Sequence, residues 1–131
     1  LQHLDEATAQ RRAIAECYLD GLAGLPLVLP HVPEWADPAW HLFVVRHEAR
    51  DVLQERLTER GIGTLIHYPI PPHLQAAYAE LDYAPGDFPL AERIHAEVLS
   101  LPIWPGMTDA QVARVIEAVR DAVEQPHLER V

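Results

Sequence analysis

Proline placement constrains this chain more than any other feature. Proline fixes φ and lacks an amide hydrogen, so it stops helices and interrupts strands. Pro26, Pro30, Pro33 and Pro38 make residues 25–39 an extended connector, with room only for a short edge strand at Leu27–Leu29. Pro69, Pro71 and Pro72 make a second interruption, and Pro85-Gly86 inside Tyr83–Phe88 is a turn pair. Regular elements must fit between these points.

The intervals read clearly. Residues 1–23 form a helix, with Leu4, Ala7, Ile14, Tyr18 and Leu22 at helical spacing and Gly21 and Gly24 at its end. Trp40–Arg46 is an aromatic and β-branched strand, apolar on both sides. A helix over Ala49–Arg60 buries Val52, Leu53 and Leu57, and Gly61 suits a left-handed cap. Gly63–Tyr68 reads as a strand, completing a strand–helix–strand unit. A short helix over His73–Leu81 precedes a helix capped by Asp87 that runs to about Leu99, with Leu90, Ile94 and Val98 on one face. Ser100–Ile103 is a third strand. Thr108 and Gln111 make a capping box for a last helix striped by Val112, Val115, Ile116, Val119 and Val123. The tail beyond Gln125-Pro126 is expected to fray. The order predicts an α/β fold: a two-layer sandwich with a small mixed or antiparallel sheet and helices on one side.

A chain of 131 residues fits one domain. Its formal net charge of −10, with no basic cluster beyond Arg11-Arg12, argues against nucleic acid and anionic membrane as partners. Apolar runs are too short to span a bilayer, and no signal peptide is visible. Cys17 is the sole cysteine, so the expected compartment is the cytoplasm. The chain opens at Leu1 inside a helix, which suggests a piece of a longer protein. All ten basic residues are arginine. Without lysine, no side-chain Schiff base can form here.

Simple chemical sites find little support. The eight histidines lack metal-ligand spacing: His67 and His73 are separated by prolines. His3, His47, His95 and His127 read as surface or helix-edge residues. Cys17 has no patterned base nearby and reads as a small buried thiol. Ser100, the only serine, lacks a nucleophile elbow. Gly61-Ile62-Gly63 is too short for a phosphate loop and follows a helix. The unusual segment is Gly61–Gln75. There a strand ends in His67-Tyr68-Pro69 and enters a stiff connector, a way to present two polar rings to a ligand. The plainer alternative packs Tyr68 in the core and leaves His67 solvated.

The order and spacing of several short motifs resemble the C-terminal domain of the DegT/DnrJ/StrS sugar aminotransferases. These motifs are Arg11-Arg12-Ala13, Trp40–Val45, Arg60–Thr64, Ile66–Pro69, His73-Leu74-Gln75, Gly86–Pro89 with Ala91-Glu92, and Ser100-Leu101-Pro102. The resemblance runs from about Arg11 to Val123. It departs at Ile70-Pro71-Pro72, where a single proline is more usual, and at Trp104.

The resemblance implies a fold-type I small domain. Its parent would use pyridoxal phosphate to move an amino group from an amino acid, typically glutamate, to a nucleotide-linked keto-sugar. It implies a homodimer in which a large domain, absent from this chain, carries the cofactor lysine. No catalytic or cofactor-binding residue and no metal ligand is then expected here, and the chain alone would be inactive. The resemblance brings His67 and Tyr68 to the substrate, with His73 as a further substrate-binding candidate. Phe88 and Trp104 read as core or domain-interface residues. The alternative is a non-catalytic binding or interaction module of the same fold.

Overall fold

The computed structural model describes residues 2–124. Helix α1 (Leu4–Gly21), strand β1 (Phe43–Arg46) and helix α2 (Arg50–Glu59) come first. Two 3-10 segments, Pro72–Leu74 and Ala76–Leu81, follow. Helix α3 (Pro89–Glu97), strand β2 (Val98–Leu101) and helix α4 (Asp109–Glu124) complete the order. The strands pair antiparallel, with Val44 opposite Ser100 and Val45 opposite Leu99. This is the expected α/β domain, built on a small antiparallel sheet.

Two expected strands shrink to single bridges, one on each side of that pair. Val28 exchanges backbone hydrogen bonds with Arg46 at 2.9 and 3.0 Å. Pro26 and Pro30 leave no room for a longer ladder there. Leu65 bonds Ser100 at 3.3 and 2.8 Å, on the other edge of the pair. The extended segment then turns away through His67-Tyr68-Pro69, so Gly63–Tyr68 never becomes a full strand. The expected helix at His73–Leu81 is two 3-10 pieces with a break at Gln75 and an irregular Tyr78.

The core lies between β1–β2 and helices α1, α2 and α4. Tyr18, Leu22, Phe43, Val45, Leu53, Leu57, Leu99 and Val119 are fully buried within it. The rings of Tyr18 and Phe43 meet edge to face at 5.1 Å, and the Tyr18 hydroxyl donates to the Pro102 carbonyl at 2.7 Å. Burial pushes the Tyr18 phenol upward, with a smaller push from Cys17, so it stays a donor. Cys17 itself is exposed, not buried. The buried positions of α1 are Ile14, Ala15, Tyr18 and the following Leu22, and residue 17 lies off that stripe.

The arginines explain how the helices end. The last carbonyls of a helix have no partner within it and carry partial negative charge. Arg120 donates to Gly21 O at the end of α1 (2.9 Å), and Arg114 to Arg60 O at the end of α2 (3.2 Å). Arg50 donates to His95 O in α3 (3.5 Å), and Arg56 to Ala122 O in α4 (2.6 Å). Each helix end is met by an arginine from a different element. Arg11 likewise reaches the carbonyls of Trp40, His41 and Ile103 (3.3–3.5 Å), while Arg12 pairs with Asp37 in the connector. The Arg11-Arg12 motif thus fixes the chain entering β1.

Capping is half as expected. Thr108 and Gln111 form the reciprocal box at 3.2 and 2.9 Å, and Gly61 adopts φ +74 after α2. Asp87 does not cap α3, because its carboxylate accepts from Ala84 N at 2.8 Å. Glu92 reaches back from within the helix to Phe88 N and Gly86 N instead. Helix α3 stops at Glu97, short of Leu99, and Val98 already belongs to β2. Arg50 holds that junction through Val98 O at 3.1 Å, and His47 N donates to Glu97 O at 3.1 Å. The anticipated apolar face of α3 is buried only at its far end: Leu90 is exposed and Ile94 half-buried, while Val98 is buried as part of β2. Residue 127 and the tail beyond Gln125 lie outside the described residues.

Candidate functional site

The Leu65 bridge aims the next residues outward. His67 comes two positions later on the same extended segment, and its Nδ1 lies 2.9 Å from Ser100 Oγ. Tyr68 follows with 66% of its surface exposed. Its ring meets the His67 ring edge to face at 5.6 Å, and the peptide bond between the two residues is cis. The Tyr68 carbonyl accepts from His95 Nδ1 at 2.6 Å. The His67 ring is therefore held from behind by β2, and the Tyr68 backbone by α3. The plainer alternative for this segment fails, since Tyr68 is outside the core and His67 is the half-buried member.

The connector beyond them is fixed as well. Gln75 Nε2 donates to Ile70 O at 3.1 Å, and Leu74 N donates to Pro71 O at 3.0 Å. Pro71 is buried. His73 then enters a separate aromatic cluster. Its side chain is 8% exposed, and its Nε2 lies 3.2 Å from Glu92 Oε1. Its ring centroid is 4.8 Å from that of Phe88, and Phe88 is 5.1 Å from Tyr83. With Pro72, Tyr78, Leu81 and Ala91 these rings line an apolar pocket of about 370 Å³. The structure brings His67 and Tyr68 together and sets His73 in that pocket wall.

Glu92 is the electrostatic centre of this second cluster. The hydrogen bond from Gly86 N outweighs desolvation and, with smaller help from Phe88 N and the His73 ring, holds its carboxyl below the usual range. The sequence reading assigned no role to Glu92, His95 or Ser100. Glu92 entered only through Ala91-Glu92, one of the motifs of the family resemblance. Ser100 entered as the sole serine and in the Ser100-Leu101-Pro102 motif, but its contact with His67, like that of His95 with Tyr68, had no sequence signal, because the partners are 33 and 27 residues away.

Large apolar side chains are open around both clusters: Leu65, Ile70, Tyr78, Tyr83 and Phe88 are all exposed. Phe88 and Trp104 are at the surface and not in the core. Among the described residues no three His, Cys, Asp or Glu side chains converge to hold a metal. No described helix is long and apolar enough to cross a membrane. The chain offers no lysine amine to a carbonyl cofactor.

Comparison with known proteins gives the family of the chain. The chain is 50% identical over 126 residues to the dTDP-3-amino-3,4,6-trideoxy-alpha-D-glucose transaminase of Streptomyces venezuelae, covering 95% of this chain and 33% of that protein. It is 49% identical over 121 residues to the erythromycin biosynthesis sensory transduction protein EryC1 of Saccharopolyspora erythraea, covering 92% of this chain and 33% of the relative. The crystal structure of S. venezuelae DesV in complex with a ketimine intermediate superposes with a TM-score of 0.92 at 50% identity, over 96% of this chain and 34% of that one. The chain thus spans about a third of the length of the relatives it matches. The sequence model of the DegT/DnrJ/EryC1/StrS aminotransferases matches residues 1–120, and this chain belongs to that family.

Proposed function

We propose that this chain is the small domain of a pyridoxal phosphate-dependent sugar aminotransferase and walls its substrate cleft. The observation that carries the reading is its identity of about one residue in two to a named transaminase over 95% of its length. In the longer protein an amino acid, glutamate first among candidates, gives its amino group to a nucleotide-linked keto-sugar. The S. venezuelae relative and that of Aneurinibacillus thermoaerophilus are both named for dTDP-linked 3-amino sugars. A dTDP-linked 3-keto-deoxyhexose is therefore the first substrate to test.

The residues of this chain do not fit the role of cofactor anchor, because it has no lysine. The cofactor belongs to the large domain, and the isolated chain has no activity. The contribution here is to bind and orient substrate. His67 presents a ring nitrogen and Tyr68 a phenol from a backbone fixed at Leu65 and at the Tyr68 carbonyl. His73 takes part as a wall of the aromatic pocket, with one ring edge tied to Glu92. The exposed apolar side chains near these loops meet the large domain or the second subunit of a cytoplasmic homodimer.

The test uses the full-length protein with pyridoxal phosphate, glutamate and the dTDP-linked 3-keto sugar. We expect amino-sugar and 2-oxoglutarate to form in equal amounts, and His67→Ala and Tyr68→Phe to raise the KM for the sugar nucleotide. Cofactor-loaded protein that turns over no nucleotide-linked keto-sugar with any amino donor would sink the reading. It would favour the second one, a non-catalytic interaction module, which the name of the EryC1 relative also suggests.

A further inference from the structure

We propose that Ser100 is a positioning residue: its hydroxyl donates to His67 Nδ1, fixes the neutral ring as the Nε2–H tautomer, and readies that N–H for an acceptor oxygen of the sugar nucleotide. The inference rests on the reading of His67 as a substrate contact.

Ser100 is the only serine in the chain, and it stands in a strand whose four residues are all buried. Its neighbours Val98, Leu99 and Leu101 are apolar, and Ser100 itself is 4% exposed. A hydroxyl in such a place is unfavourable unless its hydrogen finds an acceptor. Its backbone N–H and C=O are both used by Leu65. The side-chain oxygen has one partner among the described residues, His67 Nδ1 at 2.9 Å.

The direction of that bond follows from counting hydrogens. Were Nδ1 protonated, Ser100 would accept and its own hydrogen would be buried with nothing to receive it. With Ser100 donating, Nδ1 is the acceptor, and a neutral imidazole must then carry its hydrogen on Nε2. No described protein group bonds Nε2, and the ring is half-exposed beside a small pocket of about 160 Å³ shared with Thr64 and Ser100. Ser100 thus grips the segment twice. Its backbone sets the position of Leu65, and its side chain sets the rotation and tautomer of the ring two residues on.

The experiment compares Ser100→Thr with Ser100→Val in the full-length, cofactor-loaded enzyme. The two side chains have nearly the same shape, and only threonine keeps the hydroxyl. We expect the KM for the sugar nucleotide to be about five- to tenfold higher in S100V than in S100T, the size of one lost hydrogen bond. The KM for the amino donor should be equal in the two. In a His67→Ala background the difference should vanish. Ser100→Ala, which adds no bulk, should reproduce the S100V result if valine is not accommodated. Equal KM values for S100T and S100V, with His67→Ala still raising KM, overturn the role of Ser100 alone. A His67→Ala enzyme with unchanged KM overturns the substrate contact, and this inference with it. A Thr–Val difference that survives in His67→Ala shows that Ser100 acts elsewhere and also overturns it.

Discussion

Residues 72–97 and residues 98–122 are consecutive and of similar length, yet they are built by different forces. No residue of the first stretch is buried as a whole, and only the His73 side chain is largely covered. In the second, ten are buried: all of β2, Met107, and Val112, Val115, Ala118, Val119 and Ala122 of α4. The second stretch is held by removal of apolar surface from water, which needs only a stripe of the right period. The first is held by polar tethers. Glu92 gathers Gly86, Phe88 and His73, Asp87 gathers Ala84, and Gln75 reaches Ile70. Tyr83 and Phe88 touch each other and the His73 ring but stay open to solvent themselves. A segment of this kind keeps a defined shape while leaving its apolar face free to meet something else.

If that contrast is right, the largest losses come from the packed side. Phe43→Ala empties a fully buried site between Tyr18 and Trp40. It should cost about 3–5 kcal/mol in chemical denaturation. A loss under 1 kcal/mol would mean that the core does not hold the domain. Next comes the joint between the two stretches. Arg50 is 9% exposed and bonds His95 O and Val98 O on either side of the α3–β2 junction. Arg50→Ala leaves both carbonyls short of a charged donor and should cost about 1.5–3 kcal/mol. It should also speed amide exchange in α3 more than in α4. Equal acceleration of both helices would refute the idea of a local joint.

The same contrast explains what was legible in the sequence. Helices α1, α2 and α4 were read within a few residues, because an apolar stripe and a cap are local signals. The Thr108–Gln111 box lies within four residues and was read correctly. The arginines that meet the helix ends are 45 to 99 residues from their carbonyls, so no local pattern shows them. The face of Leu90, Ile94 and Val98 had the right spacing for a buried stripe. Only its far end is covered, at Val98 in β2, while Leu90 stays exposed, and periodicity cannot say whether a partner surface is present. At the site, proline stiffness and two polar rings singled out residues 67 and 68. The hydroxyl behind His67 depends on strand register, which one sequence does not reveal.

A smaller effect belongs to the start of α4. Thr108→Ala removes one side of the capping box and should cost about 1 kcal/mol by thermal or urea denaturation. The pocket of Tyr83 and Phe88 should be untouched, and a change there would blur the distinction between the two stretches.

The smallest global effect, and the sharpest local one, is expected at Glu92. Its carboxyl is held below the usual range chiefly by Gly86 N–H, with help from Phe88 N–H and His73. A group whose folded pKa is depressed contributes stability above its ordinary titration range and loses it as pH falls through the lowered folded value. Acidification should therefore loosen residues 86–88, where Gly86 N and Phe88 N donate to that carboxylate, before the core of α1, β1, β2 and α4 responds. Glu92→Gln should produce the same loosening at neutral pH, because the amide accepts more weakly and carries no charge for the His73 ring. Residue-resolved amide exchange reads both. Faster exchange at Gly86 and Phe88 with unchanged protection of Leu99 and Val119 is the expected pattern. Were Gly86 and Phe88 as protected in Glu92→Gln as in the native chain, polar tethers would not be what holds the exposed stretch. Its shape would then have to come from the contacts among the rings alone.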